Sequence, residues 1–352
     1  MRAFSALHDP VYEAPSEVSA LNRFFLSLIR DERDLPFIHL TLKIMLLMIP
    51  VGILMYVPGL PNWIWWTVAA VYLVLNNLVF KGPFGLMLHC TSHRKWFKSE
   101  YSFLNHLLPW FVGPFFGQTP ETYYSHHIGM HHPENNMPTD KSSTMFYQRD
   151  SLKSFGVYLG RFFLFGLIEL IQYFSTKKNR KKLARNAISG EISFVLMCIG
   201  LSFVNFPATF MVFILPFLIF RTIAMMGNFA QHTFIDPEDP GNSYTNSISC
   251  INHKYNHKCW NDGYHISHHL RPAMHWTEHP NHLTRNADKY VSNRALIFEG
   301  IDFLGVWLRV MKKDYEGLAD KVVNLNGMWE SKEEVIAVMK ERTQRLPKER
   351  WT

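Results

Sequence analysis

The chain has 352 residues and a formal net charge of +7, and 18% of its residues are charged. Residues 44–80 and 192–220 nevertheless contain no Asp, Glu, Lys or Arg, and apolar runs of this length are typical of membrane spans. The composition excludes a disordered chain and a collagen-like fibre, and the four cysteines form no CxxC motif or disulfide framework. A polytopic membrane protein with a large water-exposed part is therefore predicted.

The N-terminal segment, residues 1–36, is predicted to be cytosolic and to carry one interfacial helix. The positions i, i+3, i+4, i+7 and i+8 of one helical face are all apolar. They are Leu21, Phe24, Phe25, Leu28 and Ile29. Beside a membrane, a helix with such a face is expected to lie in the interface between lipid and water.

Four membrane spans in two hairpins are predicted from the two charge-free regions. Pro58, Gly59 and Pro61 interrupt the first region, and Asn205 and Pro207 interrupt the second. The resulting apolar segments are each close to the ~20 residues that cross a bilayer as a helix. These segments are residues 38–57, 63–80, 187–204 and 208–226.

The charge distribution predicts that both termini and the long middle segment are cytoplasmic. Both hairpin turns are uncharged, whereas a basic run lies between the hairpins and must face the other side. This run comprises Lys177, Lys178, Arg180, Lys181, Lys182 and Arg185. In the middle segment, two prolines cut residues 101–118, which we expect to be interfacial or re-entrant. Residues 155–174 contain Arg161 and Glu169 and are predicted to form an amphipathic surface helix.

Histidine is the most informative residue type, with 18 copies in the chain. Nine of them fall into short motifs next to the predicted spans. The motifs are His89/His93, His127/His131/His132, Asn228/His232 and His265/His268/His269. Residues four apart share a helix face and can bind one ion, whereas adjacent residues diverge by about 100° and serve two ions better. The doubled histidines therefore predict a dinuclear metal site at the cytoplasmic membrane surface, although imidazole suits several metals.

The remaining histidines are interpreted as ordinary residues. His126 is left open as a ligand, because His127 already completes the spacing of its motif. His253 and His257 are expected in a solvated loop, since Asn and Lys residues surround them. His275, His279 and His282 are interpreted as a surface stripe after the third motif, and His8, His39 and His106 as structural or surface residues.

Together, the spans and motifs resemble the membrane fatty acid desaturase/hydroxylase superfamily over roughly residues 38–285. The setting of the third motif, residues 262–272, carries the resemblance most specifically. The resemblance implies an all-α membrane domain with a cytosolic cap that carries the histidine motifs, which are called histidine boxes in this superfamily. It also implies a non-haem di-iron centre that uses O2. One iron would take His89, His93, His127, His132 and His268. The other would take His131, His232, His265 and His269, with Asn228 nearby.

The resemblance leaves the reaction open. The first box has three intervening residues instead of the four of acyl-CoA desaturases, and the second box has three instead of two. Fatty acid desaturation by hydrogen abstraction from a methylene is the expected activity. Fatty acid or alkane hydroxylation and terminal-alkene-forming oxidative decarboxylation are the alternatives, because all three begin with the same abstraction. The head group of the acyl substrate, whether a thioester, a lipid or a free acid, is also open.

The oxidant needs electrons, and the chain has neither a haem-attachment CxxCH motif nor paired CxxC motifs. A separate ferredoxin- or cytochrome-type donor is therefore expected, attracted by the basic cytoplasmic face. Nucleic acid is not an expected partner. A zinc-dependent membrane hydrolase is a remote alternative, because a zinc site takes three or four protein ligands and the motifs contain nine histidines. A metal transporter is disfavoured, because residues 44–80 contain no histidine.

The predicted organisation is completed by a C-terminal cytosolic helical segment, residues 286–352, after the membrane domain of residues 37–285. Its clearest signal is the capping box formed by Ser331 and Glu334, which predicts a helix continuing to about residue 345.

Overall fold

The computed structural model describes residues 1–4, 6–177 and 179–347, and these residues are mostly helical. Lys178 of the predicted basic run and residues 348–352 of the predicted C-terminal segment lie outside the described residues. The chain divides into two compact units. We call Tyr12–His126 with Lys177–Thr222 the span unit, and Met1–Val11 with His127–Thr176 and Ile223–Thr352 the histidine unit. The division into segments 1–36, 37–285 and 286–352 stays a prediction.

The span unit is built from long apolar helices that are interrupted by short π-helical and 3-10 turns. Its α-helices are Ala20–Leu28, Leu35–Lys43, Ile49–Leu54, Asn62–Val74, Lys81–His93, Thr122–His126, Lys181–Thr209 and the start of Leu215–Gln231. Its π-helical turns are Ile44–Met48, Leu75–Phe80, Leu107–Val112 and Phe210–Ile214. Its 3-10 turns are Glu32–Asp34, Ser99–His106 and Gly113–Phe116.

Four helical stretches among the described residues are long and apolar enough to cross a membrane: Glu32–Leu54, Asn62–His93, Leu152–Thr176 and Lys181–Gln231. The first covers residues 38–54 of the predicted span 38–57, and the second contains the predicted span 63–80. Lys181–Gln231 contains both arms of the second predicted hairpin, and Asn205 has extended backbone angles (φ −159°, ψ 99°) just before Pro207. Leu152–Thr176 also meets the length and composition criteria, so its placement on the surface stays a prediction, as does the two-hairpin topology.

Several polar groups in the span unit find partners on other helices, which stabilises them where water is scarce. The Tyr72 hydroxyl lies 2.9 Å from the Phe115 carbonyl oxygen and 3.0 Å from that of Val212. Arg221 forms an ion pair with Glu191, and Thr119 donates to the same carboxylate at 2.7 Å. The segment predicted to be interfacial or re-entrant, residues 101–118, consists here of the short turns up to Phe116.

Two glycines let backbones in the span unit approach closely. A Cβ atom at Gly190 would lie 1.6 Å from the Pro120 carbonyl oxygen. A Cβ atom at Gly117, whose φ is +80°, would lie 2.1 Å from the backbone of Phe217. Since protein interiors are close-packed, no side chain fits at either position without a shift of backbone.

The predicted N-terminal helix forms, and the structure places it at Ala20–Leu28. Its N-cap is Ser19, whose Oγ accepts from the Asn22 backbone N–H at 3.2 Å. Leu21 and Phe24 are 62% and 58% exposed, whereas Ile29, just after the helix, is buried. The first part of the apolar face is therefore uncovered among the described residues, which is the property expected of a helix that lies against lipid.

The histidine unit packs one long helix and many short elements around an aromatic core. Its helices are Leu152–Thr176, the end of Leu215–Gln231, Ser243–Asn246, Lys254–Lys258, His265–Leu270, His279–Arg285, Ala287–Ser292, Phe303–Met311, Tyr315–Ala319 and Lys332–Arg342. Shorter turns are His127–His131, His132–Glu134, Trp276–Glu278 and Leu325–Gly327. Two parallel strand pairs, Arg2–Ala3 with Val323–Asn324 and Ser249–Ile251 with Ile297–Glu299, complete the unit.

The C-terminal helix belongs to this core. Ser331 caps it by accepting from the Glu334 N–H at 3.1 Å, as the sequence predicted, and the helix ends at Arg342. Val335 and Met339 are fully buried. The structure therefore places the helix in the packed interior of the histidine unit.

Buried Arg149 ties the end of the chain to the loops of the histidine unit. Its guanidinium donates to the Thr233 carbonyl at 2.8 Å, to the Arg342 carbonyl at 2.9 Å and to the Gln344 carbonyl at 2.6 Å. The Ile235 N–H donates to the Arg342 carbonyl as well, at 2.9 Å. The segment directly after His232 is therefore held by the backbone of Arg342 and Gln344.

Candidate metal centre

Four boxed histidines converge in the interior of the histidine unit. They are His131, His232, His265 and His269, and each offers a ring nitrogen within 4.8 Å of the others. The Nε2 atoms of His265 and His232 are 3.3 Å apart, and those of His265 and His269 are 3.0 Å apart. Four imidazole nitrogens at these spacings could hold one metal ion, since imidazole is a common ligand of transition metals.

The arrangement follows from local helix geometry. His265 and His269 are one turn apart on helix His265–Leu270, so both rings leave the same face. His131 ends the π-helical turn His127–His131. His232 follows helix Leu215–Gln231 directly and is fully buried. Three separate elements therefore supply the four rings.

A second set of three boxed histidines, His127, His132 and His268, also lies in the histidine unit. Their ring nitrogens fall within 4.8 Å of one another. The Nε2 atoms of His132 and His127 are 3.1 Å apart, and those of His268 and His132 are 2.8 Å apart. His131 and His269 thus lie in one set, and their sequence neighbours His132 and His268 lie in the other. The assignment of each set to a metal stays a prediction.

In the span unit, His89 and His93 lie together at the end of helix Lys81–His93. Their ring centroids are 5.2 Å apart, as expected for residues four apart on one helix face. His89 is 7% exposed. The pair therefore presents two neighbouring nitrogens, which is the geometry the first box predicted.

Hydrogen bonds on the far side of two rings fix how they are oriented. Nδ1 of His131 lies 2.7 Å from Asp140 Oδ2. Asp140 is itself buried, and its Oδ1 accepts from the backbone N–H and the hydroxyl of Ser142 at 2.8 and 2.7 Å. Nδ1 of His232 donates to the Asn246 carbonyl at 2.8 Å. Because Nδ1 is the donor, Nε2 keeps its lone pair for a metal.

Burial also keeps the imidazoles of His232 and His269 in the neutral form that binds metals. It lowers the pKa of His232 to about 3, with a smaller effect from neighbouring His131. Burial, followed by the neighbouring rings of His265 and His132, lowers the pKa of His269 well below its usual value. A charged imidazolium would lose hydration at these positions, so both rings stay unprotonated near neutral pH.

The Asn228 amide has an anchoring role in the structure. Its Nδ2 donates to the Tyr158 hydroxyl at 2.7 Å and to the Ser142 carbonyl at 3.0 Å. Ser142 is also the residue that bonds to Asp140. Asn228 thus shares a hydrogen-bond network with the carboxylate behind His131, and its predicted place near an ion stays a prediction.

The interpretation of His275 and His279 as surface residues was wrong. They are 1% and 5% exposed. Nδ1 of His275 accepts from the Thr277 N–H at 3.2 Å and caps the turn that follows. His279 Nδ1 lies 2.7 Å from Ser267 Oγ, inside the third box. The His279 ring therefore supports the segment that carries His265, His268 and His269, whereas His275 holds the turn Trp276–Glu278 that follows it. Within the described residues, neither histidine set includes His126.

Several orienting groups have no signal of their own in the sequence. Asn246, Ser142 and Tyr158 stand in no motif, and Ser267 lies inside the third box without being one of its histidines. Each acts through a hydrogen bond that forms only in the folded chain. A family model described as fatty acid desaturase matches residues 63–300, well over half of the chain. No curated protein and no solved structure matches the chain.

Proposed function

Because the chain belongs to the fatty acid desaturase family, we propose that it is a membrane oxidoreductase with a non-haem di-iron centre that removes hydrogen from a methylene of a fatty acyl chain. The observation that carries this proposal is the division of seven buried or half-buried histidines of one unit into two converging sets. A single zinc ion takes three or four protein ligands. Two such sets therefore favour a pair of metals.

We propose that one iron would be held by His127, His132 and His268 together with His89 and His93 of the first box. The second would be held by His131, His232, His265 and His269, with Asn228 close by. When bound, the two irons would supply the oxidising power of O2 for cleavage of an unactivated C–H bond. All donors are imidazoles, a ligand type that iron accepts.

The roles of the protein groups follow from their hydrogen bonds. Asp140 and the Asn246 carbonyl hold the tautomers of His131 and His232 so that Nε2 faces the metal in each case. The apolar spans would bring an acyl chain from the bilayer to a site sheltered from water, which suppresses side reactions. Desaturation is the proposed outcome, with the active site on the cytoplasmic side.

Electrons would come from a separate ferredoxin- or cytochrome-type protein. The candidate docking region includes Lys181, Lys182 and Arg185, which begin helix Lys181–Thr209. Basic groups there would raise the rate of encounter with an acidic donor, and the effect should weaken with salt.

The test is mass spectrometry of total lipids, free acids and headspace gas from a host that expresses the chain, with and without O2. New double bonds that require O2 are expected. Hydroxylated acids would indicate hydroxylation instead of desaturation, and terminal alkenes would indicate oxidative decarboxylation. Purified protein should contain about two irons, and bound zinc with O2-independent hydrolysis would contradict the proposal.

Two ligand variants sharpen this test. His131→Ala and His269→Ala should each lower product formation by at least about 100-fold, because each removes a direct metal ligand. His257→Ala is the matched control, since His257 is exposed and lies in the same unit. Full activity in either ligand variant, or equal loss in the control, would count against the assigned set.

A further inference from the structure

Lys81 is a buried cation that the proposed metal chemistry does not use. It is the first residue of helix Lys81–His93 and lies inside the candidate span Asn62–His93. Only 4% of the residue is exposed. A Lys side chain in a span usually extends to the interface between lipid and water. An enclosed ammonium at this position needs a group of opposite charge to offset its loss of hydration.

The surroundings of the ammonium provide only weak compensation. Its Nζ lies 3.4 Å from the Phe116 carbonyl oxygen, which is longer than an ordinary N–H···O bond. The ring centroids of Phe116 and Phe220 are 5.8 and 5.5 Å away. Across residues 1–4, 6–177 and 179–347, no carboxylate pairs with Lys81.

A second cation in the same unit shows what full compensation looks like. Arg221 also stacks on an aromatic ring, that of Phe217 at 4.3 Å, but it has in addition the carboxylate of Glu191. A buried charge is costly unless an opposite charge and hydrogen bonds accompany it. The contrast indicates that the counter-charge of Lys81 comes from outside the chain.

The helix that begins with Lys81 also carries the first histidine box. Residues 81, 85 and 89 are spaced by four, so each points about 40° away from the one before, and Lys81 and His89 lie about 80° apart around the helix. Eight residues separate Lys81 from His89, which corresponds to about 12 Å along the axis. Between them, Gly85 allows the Phe220 ring to pack on the helix, since a Cβ at Gly85 would lie 3.2 Å from that ring. The helix thus presents a cation, an aromatic surface and an imidazole in order along its length.

We propose that Lys81 binds the carboxylate of a free fatty acid, and that the substrate class is the free acid rather than a thioester or a lipid ester. The inference rests on the acyl oxidation proposed above and names its substrate. A carboxylate brings a full negative charge and two acceptor oxygens. An ester or thioester carbonyl is neutral and would leave the ammonium uncompensated.

Binding to the metal-free protein tests the site without any need for turnover. Radiolabelled palmitic acid and its methyl ester are measured against the protein in phosphatidylcholine nanodiscs, with empty nanodiscs as the background. The wild-type protein should bind the acid at least about tenfold more tightly than the ester. Lys81→Met should abolish this preference by weakening the binding of the acid alone, whereas Lys81→Arg should retain it.

Lys43→Met is the matched control. Lys43 lies in the candidate span Glu32–Leu54 but is exposed, so its loss should leave the preference for the acid unchanged. Equal binding of acid and ester by the wild-type protein would overturn the inference, as would an unchanged preference in Lys81→Met. If Lys81→Met does not fold by size-exclusion chromatography, the wild-type comparison and Lys81→Arg decide the matter.

A parallel turnover assay with iron, O2 and reductant separates this inference from the proposed function. Oxidation of the ester as fast as the acid would overturn the carboxylate site and leave acyl oxidation standing. Lys81-dependent binding of the acid without any oxidised product would support the carboxylate site and count against the proposed acyl oxidation. The expected result is oxidation of the acid that falls at least about tenfold in Lys81→Met.

Discussion

The histidine unit and the span unit hold their functional side chains in different ways. In the histidine unit, loop groups fix individual rings, as Asp140 does for His131 at 2.7 Å. In the span unit, His89 and His93 lie at the end of a long helix, so helix packing determines where they point. That packing depends on close backbone contacts such as the one at Gly190.

The two units should therefore respond differently to substitutions. A hydrogen-bond partner can be removed from the histidine unit while the surrounding core, rich in buried aromatic residues, remains packed. A methyl group added at a backbone contact in the span unit has no space to enter. Damage in the first unit should therefore appear as weakened metal binding, and damage in the second as unfolding.

The largest expected effect is at the backbone contact. Gly190→Ala should destabilise the protein by about 3 kcal/mol, because the new Cβ overlaps the Pro120 carbonyl oxygen. Gly200→Ala on the same helix is the matched control, since nothing lies within 4 Å of its added Cβ and alanine favours helix. Thermal unfolding in detergent measures both. Equal melting temperatures of the two variants would show that the span unit accommodates a Cβ at position 190, contrary to this prediction.

An intermediate effect is expected at the carboxylate behind His131. Asp140→Asn should weaken metal binding and activity by about 10- to 100-fold, because it alters the partner that orients Nδ1. Asp239→Asn is the control, since Asp239 is exposed in the same unit. Metal titration of the purified protein separates binding from folding. A variant that melts early but binds metal normally would assign Asp140 a purely structural role.

The smallest effect is a pH dependence confined to the histidine unit. The folded pKa of His232 lies near 3, below the value of about 6.5 in the unfolded chain. The unfolded state therefore binds more protons between these values, and stability falls as the pH drops below about 6.5, by up to about 1.4 kcal/mol per pH unit for each such histidine.

Melting temperatures of the metal-free protein at pH 5.5, 6.5, 7.5 and 8.5 measure this dependence. We expect a plateau above about pH 7 and a decline below it. His257→Ala should not change the profile, because His257 is exposed. Constant stability from pH 7.5 to 5.5 would show that the buried rings do not remain neutral in the folded state.

Local signals predicted much of this structure. The break at Asn205 follows from the proline two residues later, since the ring of Pro207 removes a helical hydrogen bond. The cap at Ser331 and the shared face of His265 and His269 follow equally from spacing. Such features depend only on residues a few positions apart.

Contacts that depend on how irregular loops fold back on the chain were not predictable in the same way. The partner of His232 is the carbonyl of Asn246, fourteen positions away through an irregular loop. His275 and His279 resembled a polar surface stripe because neither sits in a periodic apolar pattern, yet loops fold over both. A backbone carbonyl carries no sequence signature, so no motif could have identified it.

The clasp formed by Arg149 bears on the order of folding. The guanidinium joins the segment after His232 to the Arg342 and Gln344 carbonyls, and Arg149 is 84 positions from Thr233 and 193 positions from Arg342 in the sequence. Contacts across such long separations form late in folding, because closing a long loop costs conformational entropy. The backbone next to His232 is therefore expected to reach its final position only when residues 342–344 have packed.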